Sequence, residues 1–321
     1  MRVLVTGAGG FVGGHLVSAL AGRGHYVFAG GFQHSSLKLK DDTEFLNFDI
    51  TDYHSIEKII IETKPDAIIH LAAQSMVKRA WEEPATTILV NTIGTINLIK
   101  AVKEHVPTAK IINIGTSEEY GLTGKKGEPL EEQDDCLPQN PYAVSKMAAG
   151  QVALQLARKD NLNIIHVRPF NHFGPGQQLG YAVSDFASQV AQIEGGFCPP
   201  IIKVGDLSAQ RDFTDVRDVI EAYITLLEKK VDTGIYNVCS GQPRSIKGIL
   251  NFLLEQSKIP ITIQIDRDRL RPSDVPLFIG SASKIKSAID WAPKRIFEKS
   301  LLETLEWWRN QDILAAATLR K

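Results

Sequence analysis

The chain has 321 residues, enough for one large domain or for two lobes that share a core. Its 36 basic and 37 acidic residues leave a net charge of −1, which gives no electrostatic reason to expect a nucleic acid or an anionic membrane as partner. The cysteines Cys136, Cys198 and Cys239 are far apart and show neither a disulfide pattern nor zinc-ligand spacing. We predict no metal site, no signal peptide and no membrane-spanning segment, and we expect a cytoplasmic protein.

Short apolar segments alternate with helical patterns along the first half of the chain. In chain order, the patterns predict a strand at 2–6, a helix at 10–22, a strand at 25–29, a third strand ending at Asp49 and Ile50, a helix at 52–63, a strand at 67–71, a helix at 85–104, a strand at 110–114, a helix at 140–158 and a strand at 164–167. Strands separated by helices of this length predict crossover connections and a parallel sheet. The expected fold is therefore α/β, with a doubly wound, Rossmann-like parallel sheet.

The composition changes after residue 168, where a stretch rich in Gly, Gln and Pro begins. A helix at 214–230 and a strand at 234–238 return to the earlier pattern, and the tail is predicted to hold mainly short helices, the last at 296–310. We therefore predict a dinucleotide-binding domain of residues 1–168 plus about 213–238. Residues of about 169–212 and 239–321 are predicted to form a smaller, mixed α/β substrate lobe.

A glycine-rich segment joins the first predicted strand to the first predicted helix. Glycines permit a tight turn and close approach of the backbone to a pyrophosphate, and the following helix N-terminus offers N–H donors to phosphate. A lone glycine-rich stretch is a weak signal, but its position between a strand and a helix predicts a dinucleotide site. The predicted ligands of the cofactor here are Gly7, Gly10, Phe11, Val12 and Gly13.

The end of the second strand bears on the choice between NAD(H) and NADP(H). Residues 30–36 contain no carboxylate to hold a free 2′-hydroxyl and no arginine to hold a 2′-phosphate. Ser35 and Ser36, with Lys38, are the available polar groups. We expect NADP(H), with NAD(H) also accepted.

Two further segments are predicted to contact the cofactor. Asp49, followed by Ile50, could accept a hydrogen bond from the adenine amino group, although Asp49 or Thr51 could equally cap the next helix. The fourth strand ends in small residues that suit close passage of the cofactor, namely Leu71, Ala72 and Ala73.

Tyr142 and Lys146 are four residues apart at the start of a predicted helix, so they share one helix face. The ammonium group of Lys146 would lower the pKa of the tyrosine from its ordinary value near 10. The pair could then give a proton to a ketone oxygen, or take one from an alcohol, during hydride transfer. Thr116, at the end of the preceding strand, would present a hydroxyl to the same oxygen, although ordinary capping of the strand end explains it as well.

Several motifs in order along the chain resemble the extended short-chain dehydrogenase/reductase family that acts on nucleotide sugars. These motifs are T-G-A-G-G-F-V-G, D-I-T-D, H-L-A-A-Q, V-N-T-I-G-T-I-N-L, T-S-E-E-Y-G, Y-A-V-S-K, R-P-F-N-H-F-G-P-G-Q and R-D-F-T-D-V-R-D. The resemblance implies that Tyr142 is the proton donor, that Lys146 activates it and binds the ribose, and that Thr116 completes the catalytic set. It also implies a homodimer formed by the helices at 85–104 and 140–158. Apolar residues on these helices permit this interface but also suit the core of a monomer, namely Ile88, Ile96, Met147, Val152 and Leu154.

The resemblance also points to a substrate. Asn171 and Arg211 match positions that meet the sugar or the diphosphate, and R-P-S-D-V-P resembles the branch acting on GDP-mannose, where Arg271 would bind diphosphate and Asp274 the nucleoside. Gln74 and Ser117 are also predicted to bind substrate. Asn171 and Arg211 could instead be structural ion-pair partners, and the proline-containing stretch could instead be a turn that stabilises the fold.

Two activities of that branch compete. Reduction of GDP-4-dehydro-6-deoxy-D-mannose to GDP-D-rhamnose is favoured, because the Arg-Arg-Ser pattern after strand two and the Ser-Pro-Arg-Arg continuation typical of the 4,6-dehydratase are both missing. Glu118, at the position of the dehydratase's acid/base glutamate, favours the dehydratase, and 4-epimerases are a third alternative. A non-catalytic sensor of the NADPH/NADP ratio is also compatible with the fold, but the retained Thr116, Tyr142 and Lys146 argue against it.

Overall fold

A parallel sheet of seven strands forms the centre of the protein, with strand order β10-β6-β5-β4-β1-β2-β3. The computed structural model describes residues 1–32, 43–269 and 275–319, apart from the side chains of 268 and 312–319. The strands are β1 Arg2–Thr6, β2 Tyr26–Gly31, β3 Thr43–Asn47, β4 Ala67–His70, β5 Lys110–Ile114, β6 Ile164–Pro169, β7 Asn171–Phe173, β8 Ile201–Val204, β9 Gln210–Asp215, β10 Gly234–Val238, β11 Pro243–Ser245, β12 Thr262–Ile265 and β13 Leu277–Phe278. The predicted doubly wound α/β fold is confirmed.

Helices cover both faces of this sheet, and others pack on the shorter strands that follow β6. They are α1 Phe11–Gly22, α2 Tyr53–Thr63, α3 Val77–Glu82, α4 Pro84–His105, α5 Pro141–Asp160, α6 Ala182–Glu194, α7 Val216–Glu228, α8 Ile246–Glu255, α9 Ser283–Ile289 and α10 Phe297–Leu319. Successive residues of a strand point to opposite faces. Val3 and Val5 of β1 therefore pack with helices α1, α7 and α9, whereas Leu4 packs with α2, α4 and α5.

The parts of the chain after β6 add a second core beside the large sheet. Strands β11, β9 and β13 pair in that order, β7 pairs with β9, and β12 pairs with β8. Apolar side chains of α6, α8 and α10, among them Val190, Leu250 and Leu305, pack over these short strands. Helix α9, in contrast, packs with the core of the large sheet. The division into two domains at the boundaries given above remains a prediction.

Two predicted boundaries are wrong, the end of the third strand and the end of the last helix, and the π-helical segment of α4 and the strands of the tail were not predicted. The third strand ends at Asn47 instead of Asp49–Ile50, because the Asp49 carboxylate accepts hydrogen bonds from the backbone N–H and the hydroxyl of Thr51 and turns the chain. Helix α4 contains a π-helical segment, Leu89–Ile93. The tail holds three short strands, and α10 extends to Leu319. Strands β11 and β12 pair with partners distant in the sequence, so local patterns could not reveal them.

Helix α4 also corrects the expectation about membrane segments. At 22 residues, with a mean hydropathy of 1.3 over its most apolar stretch, it is long and apolar enough to cross a membrane by these two measures. Half of that stretch is buried inside the fold, where Leu98, Ile99 and Val102 join the core. Core packing therefore accounts for the apolar content of this helix.

Candidate active site

The glycine-rich turn after β1 is built on two close backbone approaches. Gly7 has a φ of +71°, and a side chain there would place a Cβ 2.7 Å from the backbone nitrogen of Ala72. A Cβ on Gly13, in the first turn of α1, would lie 2.5 Å from the carbonyl oxygen of Gly7. Only glycine fits at both positions. The N-terminus of α1 is thereby held against the carboxyl ends of β1 and β4, where the strand order changes direction.

A cleft of about 690 Å³ opens at these strand ends. It extends from the glycine turn, past the ends of β4, β5 and β6, to β9. The predicted site residues that line it are Gly7, Gly10, Phe11, Val12, Gly13, Leu71, Ala73, Thr116, Glu118, Tyr142, Lys146, Asn171 and Arg211. The structure therefore brings all four predicted catalytic residues, most of the predicted cofactor residues and two of the six predicted substrate residues to one cavity.

Helix α5 presents Tyr142 and Lys146 to the cleft from its first turns. Pro141 occupies the first helical position, and the side-chain oxygen of Asn140 accepts the backbone N–H of Ala143 at 2.8 Å, which caps the helix. The Thr116 side chain lies close enough to Tyr142 to act on its hydroxyl, where it favours the ionised form and opposes the raised pKa. The Thr116 hydroxyl also accepts the backbone N–H of Glu118 and caps a short 3-10 turn. Thr116 therefore caps the strand end, as the alternative interpretation held, and it also lines the cleft.

The charges of the site differ from the expectation in one respect. Burial raises the pKa of Tyr142, and the nearby Glu118 carboxylate raises it further. The ammonium of Lys146 instead donates to the carbonyl oxygen of Ile114 at 2.5 Å. Burial lowers the pKa of Lys146 to about 8. The prediction that Lys146 lowers the pKa of Tyr142 is therefore wrong for this structure, and Tyr142 keeps its proton at neutral pH.

Glu118 is held at the cleft wall. The side-chain amide of Asn140, the residue that caps α5, donates to the Glu118 carboxylate at 2.7 Å. Burial raises the pKa of Glu118, against the opposing effects of this hydrogen bond and of Arg211. The guanidinium of Arg211 donates to the carbonyl oxygens of Gln210 and Pro276 and lines the same cavity. A carboxyl group and a guanidinium therefore face the cleft together with Tyr142.

The segment after β6, residues 170–177, packs against the start of helix α1 next to the glycine turn. The His172 ring stacks on the Phe11 ring with centroids 6.3 Å apart, and the His15 ring contacts the carbonyl oxygen of Pro175 at 2.7 Å. The side-chain amide of Gln177 donates to the carbonyl of His172 at 2.9 Å, while its oxygen is buried with no partner among the described residues. Sequence reasoning did not single out His172 or Gln177, although both lie in the R-P-F-N-H-F-G-P-G-Q motif.

Other predicted residues lie behind or beside the cleft. The Gln74 side chain is occupied within its own loop, where it donates to the Thr87 hydroxyl and the carbonyl of Met76 and accepts the Met76 N–H. Ala72, Ser117, Asp49 and Ile50 are also absent from the described lining of the cavity. Roles that act through the backbone of these residues stay predictions. Outside the described residues lie Ser35, Ser36, Lys38, Arg271 and Asp274.

A buried chain of polar groups, not expected from the sequence, ties the cofactor side of the sheet to α5. His70 lies between the hydroxyls of Thr6 and Thr95, at 2.7 and 3.0 Å, and burial lowers its pKa to about 3. Thr95 donates to the carbonyl of Asn91, whose side-chain amide donates to the Ser145 hydroxyl on α5. This neutral network fixes the strand ends relative to α5.

Comparison with known proteins identifies relatives over nearly the whole length. A family model described as GDP-mannose 4,6 dehydratase matches residues 4–304. The GDP-6-deoxy-D-mannose reductase of Pseudomonas aeruginosa is 33% identical over 310 residues, covering 97% of this chain and 98% of that protein. The structure of RMD from P. aeruginosa complexed with NADPH has a TM-score of 0.84 and 31% identity, covering 97% of this chain and 100% of that one. The UDP-glucose 4-epimerase of Thermus thermophilus in complex with NAD has a TM-score of 0.85 and 29% identity, covering 96% and 99%.

The fold and the cleft define a nucleotide-sugar enzyme of the extended short-chain dehydrogenase/reductase class, as the motifs implied. The chain belongs to the GDP-mannose 4,6-dehydratase family. Its relatives are NAD(P)-dependent reductases, dehydratases and epimerases of nucleotide sugars, and the chain is an oxidoreductase of this kind.

Proposed function

We propose that this enzyme reduces the 4-keto group of GDP-4-dehydro-6-deoxy-D-mannose to give GDP-D-rhamnose, with NADPH as cofactor and NADH also accepted. The observation that carries this proposal is the single cleft that joins the glycine turn to Thr116, Tyr142 and Lys146. Similarity to the P. aeruginosa GDP-6-deoxy-D-mannose reductase and to the NADPH complex supports the choice of substrate and cofactor.

The residues of the cleft fit a dinucleotide. A Cβ at Gly7 or Gly13 would fill the space where the backbone turns, and the N-terminus of α1 points oriented N–H groups toward that space. Leu71, Ala73 and Lys146 line the next part of the cleft, and we assign Lys146 to the cofactor ribose on the motif resemblance alone. A nicotinamide cofactor bound there supplies the hydride that the reduction requires.

The remaining chemistry is a proton transfer, which this chain's own side chains perform. Hydride addition to the carbonyl carbon leaves an alkoxide at O4, and the Tyr142 hydroxyl donates its proton to that oxygen. The raised pKa of Tyr142 means that the proton is present at neutral pH. The Thr116 side chain acts on the Tyr142 hydroxyl, and we assign it to orient that hydroxyl toward the substrate oxygen. Asn171 and Arg211 line the substrate side of the cleft, and we assign Arg271 and Asp274 to the guanosine diphosphate on the sequence pattern alone.

Glu118 supports a second candidate, GDP-mannose 4,6-dehydration. A dehydratase must remove a proton from C5 and help water leave from C6, which needs an acid/base group in the cleft. Glu118 lines the cleft, and burial raises the pKa of its carboxyl. The reductase is preferred because residues 30–36 lack the Arg-Arg-Ser pattern with which the dehydratase retains its cofactor. A nucleotide-sugar 4-epimerase is a third candidate.

The proposal includes a homodimer, formed by helices α4 and α5 on the face away from the sheet, in the cytoplasm. Apolar side chains with 39–45% of their surface exposed lie on these helices, namely Leu89, Ile93 and Val144. Of the apolar residues expected to form the interface, Ile88, Ile96, Met147 and Val152 are half-buried, and Leu154 is already buried in the protomer. Light scattering on the wild type and on a Leu89→Glu variant tests the dimer, which the glutamate should dissociate.

Product identification tests the proposed activity. Purified protein is incubated with NADPH and either GDP-4-dehydro-6-deoxy-D-mannose, the matching UDP-linked 4-keto sugar, or GDP-mannose. We expect the GDP-linked ketone to be consumed fastest, with NMR of the product showing the D-rhamno configuration at C4. Faster reduction of the UDP-linked sugar, or a different configuration at C4, would contradict the substrate or the product assigned here.

A further inference from the structure

A buried cluster of ionisable side chains lies directly behind the catalytic residues and has no part in the chemistry described so far. The Glu119 carboxylate accepts hydrogen bonds from His166 Nε2 at 3.1 Å and from Arg168 Nε at 2.8 Å. The side chains of Glu119 and Arg168 are 1% and 2% exposed. Burial opposes ionisation of Glu119, but its two partners hold its pKa at about 2, so the carboxylate is charged at every working pH.

Two glycines make room for this cluster. A Cβ on Gly115, at the end of β5, would overlap the Glu119 carboxylate and the His166 ring. A Cβ on Gly150, in the middle of α5, would overlap the same His166 ring. Neither glycine has a positive φ, so space rather than backbone conformation requires them. The strand end and the catalytic helix are therefore shaped around the buried acid.

Glu119 contacts the catalytic residues in two ways. One carboxylate oxygen accepts the backbone N–H of Thr116 at 3.0 Å, which fixes the residue whose side chain acts on the pKa of Tyr142. The negative charge of Glu119 also acts on Lys146, where it opposes the lowering of the ammonium pKa by burial.

The negative charge that acts on the Lys146 ammonium comes from Glu119 and not from the other titratable groups nearby. His70, on β4, is neutral, because burial lowers its pKa to about 3. Burial raises the pKa of Tyr142, which is therefore protonated at neutral pH. The Glu118 carboxylate is hydrogen-bonded to Asn140, and its charge acts on Tyr142, whereas Glu119 is the carboxylate whose charge acts on Lys146. His166 and Arg168 can add only positive charge.

We propose that Glu119 is a positioning residue for the reaction, which fixes the backbone of Thr116 and keeps the ammonium of Lys146 charged in the closed site. This inference rests on the proposed roles of Thr116, Tyr142 and Lys146. It adds a residue that never touches the substrate and that acts through both of them.

Two substitutions separate the two contributions. Glu119→Gln keeps an oxygen for the Thr116 N–H and removes the charge. Glu119→Asp keeps the charge and is too short to reach the Thr116 N–H while paired with Arg168. Glu194→Gln is the matched control, because Glu194 forms a comparably buried pair with Arg309, with side chains 6% and 12% exposed, and does not line the cleft.

The readouts are the pH profile of kcat/KM for ketone reduction and the pH dependence of the NADPH dissociation constant measured by fluorescence. Lys146 is protonated below its pKa. In the wild type, kcat/KM should therefore fall, and the NADPH dissociation constant should rise, above about pH 8. Loss of an opposing charge shifts a neighbour's pKa by about one unit or more. Glu119→Gln should therefore move both transitions down by about one pH unit. Glu119→Asp should leave them in place and lower kcat at least tenfold.

Thermal unfolding of all three variants accompanies these measurements, because the Gln amide would face a donor of Arg168. If Glu119→Gln does not fold, the test is the kcat of Glu119→Asp. A wild-type kcat in Glu119→Asp would overturn the proposal. Unshifted transitions in a folded Glu119→Gln, or the same shift in Glu194→Gln, would also overturn it. If the wild type reduces no ketone, the proposed function fails, and the NADPH titration still tests Glu119.

Discussion

Replacement of Gly13 by alanine should weaken cofactor binding far more than it weakens the fold. Gly13 lies in the first turn of α1, where an added Cβ would be 2.5 Å from the carbonyl oxygen of Gly7 and 2.6 Å from that of Ala8. Ordinary contacts of this kind begin near 3.4 Å. The helix N-terminus must therefore move away from the turn by about 1 Å, since backbone atoms on both sides leave no flexible group to yield.

The size of the effect follows from that displacement. Overpacking of this kind costs about 1–3 kcal/mol of stability, which a protein of this size can tolerate. The same movement takes the N–H groups of α1 out of hydrogen-bonding distance of a bound pyrophosphate. Loss of a single charge-assisted hydrogen bond costs about 1.5–3 kcal/mol of binding free energy. The NADPH dissociation constant should therefore increase by about ten- to hundredfold.

Gly22→Ala is the matched control, because Gly22 ends the same helix and an added Cβ there meets nothing within 4 Å. This control should bind NADPH as the wild type does and gain up to about 1 kcal/mol of stability from helix propensity. NADPH fluorescence titration and thermal unfolding of both variants provide the comparison. An NADPH dissociation constant for Gly13→Ala within twofold of the Gly22→Ala value would refute this account of the glycine turn.

Three further outcomes are expected. Tyr142→Phe should lose about 10²–10⁴ in kcat, as expected for removal of a general acid, with an unchanged NADPH dissociation constant by fluorescence; retention of half the activity would assign the proton to another group. The kcat/KM of the wild type should fall as pH rises through about 8, because Lys146 loses its proton there; a flat profile to pH 10 would contradict this. The kcat/KM values for NADPH and NADH should lie within about two decades, and Gln33→Asp should favour NADH by repelling the 2′-phosphate; strict NADH specificity in the wild type would contradict this.

Local patterns were sufficient for most of the large sheet, for the glycine turn and for the pair Tyr142 and Lys146. The strand, glycine turn and helix around Gly7 are consecutive in sequence, and the i, i+4 spacing of Tyr142 and Lys146 fixes their common helix face. Alternation along the strands and helical periodicity between them define this part of the fold. The strand ends then meet at one edge because the sheet is parallel.

The remaining parts of the site depend on contacts between distant residues. Nothing local indicates that Glu119, on the turn after β5, pairs with His166 and Arg168 on β6, because charged residues are most often exposed. The only hint in the sequence is the pair of glycines at 115 and 150. A glycine at a strand end or in the middle of a helix can mean that a neighbouring side chain leaves no room for a Cβ. The direction of the Tyr142 pKa shift was likewise missed, because burial and the position of Glu118 are properties of the folded chain.

The destination of the hydride tests the central claim most directly. The enzyme is supplied with GDP-4-dehydro-6-deoxy-D-mannose and with NADPH that carries deuterium at both C4 positions of the nicotinamide. A 4-keto reductase should consume one equivalent of NADPH per product and place deuterium at C4 of the sugar, and Glu118→Gln should reduce this activity only modestly. The account is contradicted if GDP-mannose alone yields the 4-keto-6-deoxy product at a comparable rate, with no net change in cofactor, and if Glu118→Gln abolishes that conversion.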